Sequence, residues 1–254
     1  MKIIGIVPAR MASSRFPGKP LKSICGRPMV EHVFCRAAMF SKWDGLYLAT
    51  CDSEIFDFGQ SKGWPTLMTS DSHTRALDRV AEAADNCGQI LEENDIVVCV
   101  QGDEPMLHPD MITASIRPLE EDSHVPCTAL AIAIADEEQF RNPDTVKIIH
   151  DLKGDILYTS RLPVPYCKKF TLGLGIRRVG GIFAFRWYFL KIFNGLSESP
   201  LELAESCDSN RILDNGYRQR IAPYANTQSF SIDSPSDIDL VEMHMHNDPL
   251  WGLY

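Results

Sequence analysis

The chain has no excess of positive charge and no long apolar run, and these two absences exclude several classes of protein. Its 254 residues include 25 Lys and Arg against 34 Asp and Glu, which gives a formal net charge of −9. Proteins that bind nucleic acids or membrane surfaces generally carry a basic excess, so neither kind of binding is expected. No apolar run approaches the ~18 residues of a membrane span, so membrane insertion is not expected either.

The cysteines do not form a metal or redox motif. All eight are isolated in the sequence, at positions 25, 35, 51, 87, 99, 127, 167 and 207, and no Cys-x-x-Cys pair occurs. This spacing indicates neither a zinc site nor a redox pair. Scattered thiols suit a reducing compartment, and the first apolar run, 3–7, is too short for the core of a signal peptide. A cytoplasmic location is therefore expected.

Internal repeats, low-complexity segments and linkers are also absent, so we predict a single domain over 1–254. Over the first 120 residues, apolar runs that suit buried strands alternate with segments of helical spacing. This alternation predicts an α/β fold with a doubly wound, Rossmann-like and mainly parallel sheet. Predicted strands cover 2–7, 46–50, 65–69, 95–100, 127–135, 144–150, 155–158, 179–185, 220–222 and 230–232. Predicted helices cover 29–40, 53–62, 76–84, 109–117, 200–215 and the segment from 234.

The region of about 150–190 is less regular than the rest. It is rich in proline near its start and ends in an aromatic cluster. Such a cluster is better explained by core packing or a subunit interface than by base stacking. We therefore predict an embedded insertion that forms the interface of a homodimer.

The most informative stretch follows the first predicted strand and reads Pro8-Ala-Arg-Met-Ala-Ser-Ser-Arg-Phe-Pro-Gly-Lys-Pro-Leu21. It combines the cations Arg10, Arg15 and Lys19 with the hydroxyls of Ser13 and Ser14 and a single glycine. A cationic, glycine-bearing loop between a strand and a helix can surround a triphosphate with N–H donors and positive charge. The loop matches neither the Walker A pattern nor the dinucleotide fingerprint. A merely solvated loop is the alternative, but a concentration of cations in an acidic chain argues against it.

Acidic residues follow two other apolar runs. Gln101-Gly-Asp-Glu-Pro105 comes after the fourth predicted strand, and ligands of open α/β sheets bind beyond the carboxyl ends of strands. Asp103 is therefore placed to hold Mg²⁺, which takes few protein carboxylates beside phosphate oxygens and water. An Asp in a strand-to-helix turn is also common without any ligand. Asp233 can supply a second carboxylate, although taken alone it is better explained as a helix N-cap.

Six segments resemble, in order and spacing, the bacterial 3-deoxy-manno-octulosonate cytidylyltransferases. They are 8–21, 101–105, 142–147, 158–161, 199–202 and 232–235. Members of this family couple CTP to the acidic sugar 3-deoxy-manno-octulosonate (Kdo) and release pyrophosphate. The resemblance implies a fold of the nucleotide-diphospho-sugar transferase type.

The resemblance also implies a role for particular residues. The nucleotide would be bound by Arg10, Ser13, Ser14, Arg15, Lys19 and Gln101, and Lys19, Arg10 and Asp103 would be catalytic. Asp103 and Asp233 would bind Mg²⁺. The sugar would contact Arg79, Tyr158, Ser160 and Asp208.

The chain departs from the family in the stretches that would face the sugar. The family's Asp-His-Gln-Ser-Gly-Thr-Glu-Arg reads Ser72-His-Thr-Arg-Ala-Leu-Asp-Arg79, Val179 replaces a histidine, and Asp208-Ser209 replaces Glu-Gln. This pattern resembles the subgroup that activates 8-amino-3,8-dideoxy-manno-octulosonate (Kdo8N). The ammonium of that sugar favours a nearby carboxylate such as Asp208. The role of Arg75 stays open between binding the sugar carboxylate and facing solvent.

The predicted reaction is CTP + Kdo8N → CMP-Kdo8N + pyrophosphate, by direct attack of the anomeric hydroxyl on the α-phosphate, for lipopolysaccharide synthesis. It needs no covalent nucleophile, in agreement with the absence of a Gly-x-Ser-x-Gly element. The alternative substrates are ordinary Kdo and other acidic sugars. The alternative classes are a nucleotide-binding sensor without catalysis and a glycosyltransferase that uses residues 102–104 as its metal site.

Overall fold

The structure is a computed structural model that describes residues 1–12, 16–225 and 230–254. Within these ranges the strands are β1 (Ile3–Pro8), β2 (Ser23–Ile24), β3 (Arg27–Pro28), β4 (Gly45–Thr50), β5 (Thr66–Met68), β6 (Ile96–Val100), β7 (Cys127–Ala133), β8 (Lys147–His150), β9 (Ile156–Ser160), β10 (Arg177–Arg186) and β11 (Arg220–Tyr224). The helices are α1 (Met29–Ala38), α2 (Ser53–Ser61), α3 (Ala76–Asp85), α4 (Pro109–Glu121), α5 (Glu137–Arg141), α6 (Trp187–Asn194), α7 (Pro200–Glu205), α8 (Ser209–Asp214) and α9 (Asp237–Met245). No helix in these ranges has the length and apolar character needed to cross a membrane.

The central sheet has the strand order β11-β7-β10-β6-β1-β4-β5. β1 pairs in parallel with β4 and β6, β4 pairs in parallel with β5, and β11 pairs in parallel with β7. β10 runs antiparallel between β6 and β7. The predicted α/β fold with a mainly parallel sheet is confirmed.

Apolar layers cover both faces of this sheet. Along β1, Ile3 and Val7 pack with residues of α1 and α4, whereas Ile4 and Ile6 pack with residues of α3 and α6. A strand that is buried on both faces reads as a continuous apolar run, which is how β1 is recognised in the sequence. Because β1 and β6 are parallel neighbours, their carboxyl ends open at the same edge of the sheet.

Several segments differ from the sequence prediction. The helix predicted over 200–215 is interrupted, because Ser206 adopts a left-handed φ of 50° between α7 and α8. Trp187, Tyr188 and Phe189 of the aromatic cluster, which were not assigned to a helix, begin α6, whereas Phe183 and Phe185 lie on β10. Residues 230–232 do not form a strand. The backbone N–H of Ile232 donates to the carbonyl of Asp103 at 3.0 Å.

The less regular region begins with a hairpin. β8 and β9 pair antiparallel, and β8 also pairs with the start of β10. Between β9 and β10 the chain forms one short 3₁₀ helix, Leu172–Leu174. Several large apolar side chains of this region are exposed, among them Leu157, Leu162, Tyr166 and Leu172.

Candidate active site

The ends of β1 and β6 are held together at a glycine. A Cβ atom on Gly102 would lie 2.6 Å from the carbonyl oxygen of Pro8, so this close approach requires a residue without a side chain. Next to it, the backbone N–H of Gln101 donates to the carbonyl of Gly181 at 2.8 Å. Residues 101–103 are thereby held between the loop after β1 and the centre of β10.

Lys19 joins three segments at this point. Its Nζ lies 2.9 Å from Oδ2 of Asp103 and donates to the carbonyl of Ile232 at 2.8 Å. The side chains of Lys19 and Asp103 are 14% and 28% exposed, so the pair is accessible to a ligand while being shielded from bulk water on most sides. The structure therefore brings together Lys19, Asp103 and the segment that carries Asp233.

The backbone of the cationic loop fixes the position of Lys19. The N–H of Gly18 donates to the carbonyl of Met11 at 3.0 Å, and Gly18 has a left-handed φ of 72° that glycine adopts without strain. The N–H of Met11 donates to Oδ2 of Asp52 at 2.7 Å, which anchors the loop to the start of α2. Ser13, Ser14 and Arg15, which were predicted to bind the nucleotide, lie outside the described residues.

Two cavities meet at Gln101 and Asp103. The first, which we call the loop cavity, has a volume of about 280 Å³ and is lined by Arg10, Ala12, Lys19, Pro20 and residues 101–103, among others. The second, which we call the acidic cavity, has a volume of about 650 Å³. Its described carboxylates are Asp103, Glu104, Asp136, Glu138, Asp144, Asp208 and Asp233, and its described cations are Arg161 and Arg178.

Asp233 reaches the acidic cavity from the segment before α9. Oδ2 of Asp237 accepts the backbone N–H groups of Asp233 and Ser234 at 2.8 and 2.7 Å, which shapes this turn. The N-cap of α9 is Ser236, so the structure does not support the alternative that Asp233 is the cap. The described part of the chain contains no cluster of three or more His, Cys, Asp or Glu side chains arranged to hold a metal ion. Asp103 and Asp233 both line the acidic cavity, and Lys19 contacts Asp103 and the backbone next to Asp233.

Tyr158 and Ser160, which were predicted to contact the sugar, do not occur among the described residues that line the two cavities. Both hydroxyls donate to Oε1 of Glu205, at 2.7 and 2.8 Å. The bond to Glu205, together with burial, raises the pKa of Tyr158. The same carboxylate accepts the backbone N–H of Arg161 at 2.8 Å, and it is Arg161 that lines the cavity. Burial raises the pKa of Glu205, but the bonds from Arg161, Tyr158 and Ser160 outweigh it and lower that pKa overall.

Arg79 is buried in the fold, with 2% of its surface exposed. Its guanidinium donates to the hydroxyl of Thr69 and, at 3.2 Å, to the carbonyls of Ser70 and His73. Among the described residues that line the two cavities, Arg79 does not occur. Its contacts are those of a residue that shapes the 69–73 loop, and they lend no support to the predicted sugar contact.

Lys147 holds together one part of the wall of the acidic cavity. Its buried Nζ donates to the carbonyls of Asn142, Thr145 and Arg161 at 2.8, 2.6 and 2.6 Å. Burial lowers the pKa of Lys147 to about 8, and the neighbouring charge of Arg161 contributes in the same direction. One ammonium thus holds together the two loops that carry Asn142, Thr145 and Arg161 into the cavity.

Asp208 lies in the break between α7 and α8, half-buried at the wall of the acidic cavity. Burial raises the pKa of Asp208 to about 6, while the positive charge of Arg75 acts in the opposite direction. Behind it, Arg211 pairs with Glu202 at 2.7 Å and with Asp78 at 2.8 Å. Val179, which stands where the family has a histidine, also lines this cavity.

Several residues that line the acidic cavity were not among the predicted site residues of the cytidylyltransferase. Glu104 is buried, and a Cβ on Gly181 would lie 2.5 Å from its Cγ, so the fold leaves room for this side chain by placing a glycine on β10. Asp136, Glu138 and Asp144 come from the segments around α5. In the sequence these residues are marked only by a local excess of Asp and Glu, which is also typical of a solvated helix end.

The chain is similar to known cytidylyltransferases along most of its length. A family model described as cytidylyltransferase matches residues 4–221. The 3-deoxy-manno-octulosonate cytidylyltransferase of Syntrophotalea carbinolica is 37% identical, and the alignment covers 96% of this chain and 99% of the relative. The enzyme of the same name from Oleidesulfovibrio alaskensis is 40% identical, with 93% and 94% covered.

Solved structures give the same result. CMP:2-keto-3-deoxy-manno-octonic acid synthetase, solved as a complex with CTP, superimposes with a TM-score of 0.85 at 31% identity, covering 97% of this chain and 99% of that one. The 4-diphosphocytidyl-2C-methyl-D-erythritol synthase of Anaerococcus prevotii has a TM-score of 0.62 at 16% identity, which shows a shared fold alone. The chain is therefore a nucleotidyltransferase and belongs to the family of 3-deoxy-manno-octulosonate cytidylyltransferases.

Proposed function

We propose that this protein transfers the cytidylyl group of CTP to an acidic eight-carbon sugar of the 3-deoxy-manno-octulosonate type, with release of pyrophosphate, for lipopolysaccharide synthesis. The observation that carries the proposal is the contact of Lys19 with Asp103 and with the backbone beside Asp233, at the boundary of the loop cavity and the acidic cavity. The loop cavity would hold the triphosphate, and the acidic cavity would hold the sugar.

The charges of the loop cavity suit a triphosphate. Arg10 is exposed at its edge and Lys19 lies at its inner end. Guanidinium and ammonium groups make the strong, charge-assisted hydrogen bonds to phosphate that such a ligand requires. Gln101 lines both cavities and offers an amide to the nucleotide.

The two acids beside Lys19 suit Mg²⁺. Asp103 and Asp233 provide two carboxylates, and Mg²⁺ in nucleotide sites takes one or two carboxylates, with phosphate oxygens and water completing its shell. Bound there, Mg²⁺ would neutralise phosphate charge and polarise the α-phosphate. The ammonium of Lys19 already offsets one of the two negative charges, which lets both acids approach a phosphate.

The chemistry demands alignment and charge neutralisation rather than a covalent intermediate. The anomeric oxygen of the sugar forms a bond to the α-phosphorus, the bond from that phosphorus to the bridging oxygen breaks, and pyrophosphate leaves with the electron pair. The hydroxyl proton is released. Lys19 and Arg10 would stabilise the negative charge that develops on the departing pyrophosphate, and the walls of the acidic cavity would hold the sugar in line.

Kdo8N is the sugar that we favour within this class. The acidic cavity is lined by seven described carboxylates against two described guanidiniums, more negative charge than a magnesium ion would neutralise. Arg161 and Arg178 are suited to the sugar's own carboxylate, while Asp208 is suited to an ammonium group. Val179, which also lines this cavity, cannot form the hydrogen bond to a sugar hydroxyl that a histidine at this position could form. Ordinary Kdo is the alternative substrate.

The test is a coupled assay of pyrophosphate release with CTP, Mg²⁺ and each sugar in turn. We expect turnover with both sugars and a kcat/KM at least about tenfold higher for Kdo8N, which corresponds to about 1.4 kcal/mol of discrimination. Equal values for the two sugars would rule out the amine preference. No pyrophosphate release with either would rule out the proposed reaction.

A nucleotide sensor is separated from an enzyme by Asp103→Asn. The variant keeps the size of the side chain but loses its charge, and we expect turnover to fall by about 10²-fold or more. Asp57→Asn is the matched control, because Asp57 is exposed on α2 away from both cavities. CTP binding without turnover in the wild type would instead support the sensor.

We also propose that the protein is a homodimer through the 150–190 region. The exposed side chains of Leu157, Leu162, Tyr166 and Leu172 in that region support this, because burying exposed apolar side chains in an interface favours association. Light scattering coupled to size exclusion tests it directly. A monomer at all concentrations would contradict the proposal.

A further inference from the structure

Helix α1 buries two polar side chains, His32 and Arg36, and neither has any exposed surface. Buried polar groups are stable only when they have hydrogen-bond partners. Several of these partners come from residues 246–254, the segment that follows α9, which we call the strap. The strap is therefore held on α1 by polar contacts as well as by apolar packing.

Tyr254 is the centre of these contacts. Nε of Arg36 donates to its hydroxyl oxygen at 3.0 Å, and Nδ1 of His32 lies 2.8 Å from the same oxygen. Because that oxygen already accepts from Arg36, its own hydrogen is available to Nδ1 of His32. The ring hydrogen of His32 then lies on Nε2, which is 2.8 Å from the carbonyl of Ile24. Nη1 of Arg27 also donates to the carbonyl of Tyr254, at 2.6 Å.

Two further residues of the strap contact the same pair of side chains. Oδ2 of Asp248 lies 2.8 Å from Nη1 of Arg36, and its side chain is 10% exposed. The ring centre of Trp251 lies 5.7 Å from that of His32. Removing one partner of a buried ion pair leaves the other charge uncompensated, so the strap leaves α1 only at a considerable cost in free energy.

An apolar cluster connects the strap to the candidate active site. Trp251 packs against this cluster, whose buried members include Met245 of α9 and Ile232. The backbone of Ile232 is bound twice at the site. Its N–H donates to the carbonyl of Asp103 at 3.0 Å, and its carbonyl accepts Nζ of Lys19 at 2.8 Å. Because close-packed interiors transmit displacements, a movement of the strap changes the position of Ile232.

Helix α9 has few other attachments. Of its nine residues, Val241 and Met245 are buried, and Oε1 of Glu242 accepts the backbone N–H of Cys25 at 2.7 Å. A helix of this length is not stable without tertiary packing. The strap therefore supplies a substantial part of what keeps α9, and the turn at 230–236 before it, in place.

We propose that Tyr254 is a positioning residue: by holding the strap on α1, it keeps the turn at 230–236, and with it Asp233, against Lys19 and Asp103. The proposal rests on the proposed function, in which Asp233 is a carboxylate for Mg²⁺. Tyr254 does not occur among the described residues that line the two cavities, so it acts through the segment that it holds.

Hydrogen–deuterium exchange of the protein without ligands tests the positioning. Tyr254→Phe keeps the ring but removes the hydroxyl shared by His32 and Arg36. We expect the amides of Ile232 and α9 to exchange at least about tenfold faster, with those of β1 and β6 unchanged. Tyr217→Phe is the matched control, because Tyr217 is 39% exposed and packs against α6 on the other face of the sheet. Unchanged exchange at Ile232, or equal acceleration in β1 and β6, would overturn the proposal.

Binding of Mn²⁺ in the presence of CTP, followed by electron paramagnetic resonance, tests the link to the metal. We expect the Kd for Mn²⁺ to rise about threefold or more in Tyr254→Phe, and to rise further in Asp233→Asn. If Tyr254 acts through Asp233, then Tyr254→Phe has no additional effect in the Asp233→Asn background, whereas independent effects add. Additive effects would overturn the role of Tyr254. An unchanged Kd in Asp233→Asn would overturn the metal site of the proposed function, and the exchange measurement then decides alone whether Tyr254 holds the turn.

Discussion

The ammonium of Lys19 lies 2.9 Å from the carboxylate of Asp103, and this charge pair joins the loop after β1 to the end of β6. The same ammonium donates to the carbonyl of Ile232, the residue before Asp233. One cation therefore contacts Asp103 and the backbone beside Asp233, and it also lines the loop cavity, which we propose to hold the triphosphate. The predictions below start from this arrangement.

Replacing Lys19 by Gln should abolish most of the activity. A positioned cation that faces developing negative charge contributes a factor of about 10²–10³ in rate, so we expect kcat/KM for CTP to fall by that factor. Lys22→Gln is the matched control, because Lys22 is exposed just after the same 3₁₀ turn. A comparable loss in both variants would show that the effect is not specific to the contact with Asp103.

Asp208→Asn should make the protein more stable at high pH. The folded-state pKa of Asp208 is raised to about 6 from an ordinary value of 3.8, so between these values the folded protein binds more protons than the unfolded chain. The wild type therefore loses stability as the pH rises through this window, and Asn cannot ionise. We expect a gain in unfolding free energy on the order of 1–2 kcal/mol at about pH 8, which shrinks towards zero near about pH 4.

Urea unfolding of both proteins at a series of pH values measures this difference. Asp57→Asn, on the exposed face of α2, should show no such pH-dependent gain. A constant difference between Asp208→Asn and the wild type across the window would contradict the assignment of a raised pKa to Asp208.

Lys147→Met should loosen the wall of the acidic cavity. The change leaves the carbonyls of Asn142, Thr145 and Arg161 without their shared donor, and each buried unpaired acceptor costs about 1–3 kcal/mol. We expect a loss of stability of at least about 3 kcal/mol, together with a raised KM for the sugar and an unchanged KM for CTP. Lys153→Met, at the exposed turn between β8 and β9, is the control. A raised KM for CTP instead of the sugar would refute the assignment of the two cavities.

Gly102→Ala should separate the ends of β1 and β6. Its Cβ would meet the carbonyl oxygen of Pro8 at 2.6 Å, so one of the two backbones must move. We expect activity to fall at least about tenfold, because misplacement of catalytic groups by about 1 Å is costly. Gly173→Ala is the matched control, since the nearest atom to its Cβ would be 3.9 Å away. Full activity in Gly102→Ala would mean that the geometry at this point is not critical.

The central part of the fold could be predicted from the sequence because its strands are buried on both faces. β1 and β6 read as uninterrupted apolar runs, and the loop and acidic turn that follow them are therefore located correctly at one edge of the sheet. The direction of β10 could not be predicted, since a buried strand has the same composition whichever way it runs. The interruption at Ser206 depends on a single left-handed residue that carries no glycine signal.

The motif positions were more reliable than the roles inferred from them. Lys19 and Asp103 meet in the structure as expected for residues at neighbouring strand ends. Arg79 matches the family motif by spacing, but spacing does not reveal that its guanidinium is buried against the 69–73 loop. Glu205 carries no motif at all, yet it holds Tyr158, Ser160 and Arg161 through hydrogen bonds that only the folded chain creates.

A crystal structure of the protein with Mn²⁺ and a non-hydrolysable CTP analogue tests the central claim most directly, because the anomalous signal of manganese locates the metal without reference to a model. The account predicts a manganese peak bound by Asp103 and Asp233, with the triphosphate in contact with Arg10 and Lys19. A manganese ion bound away from these two acids, or a triphosphate that does not reach Lys19, would contradict it.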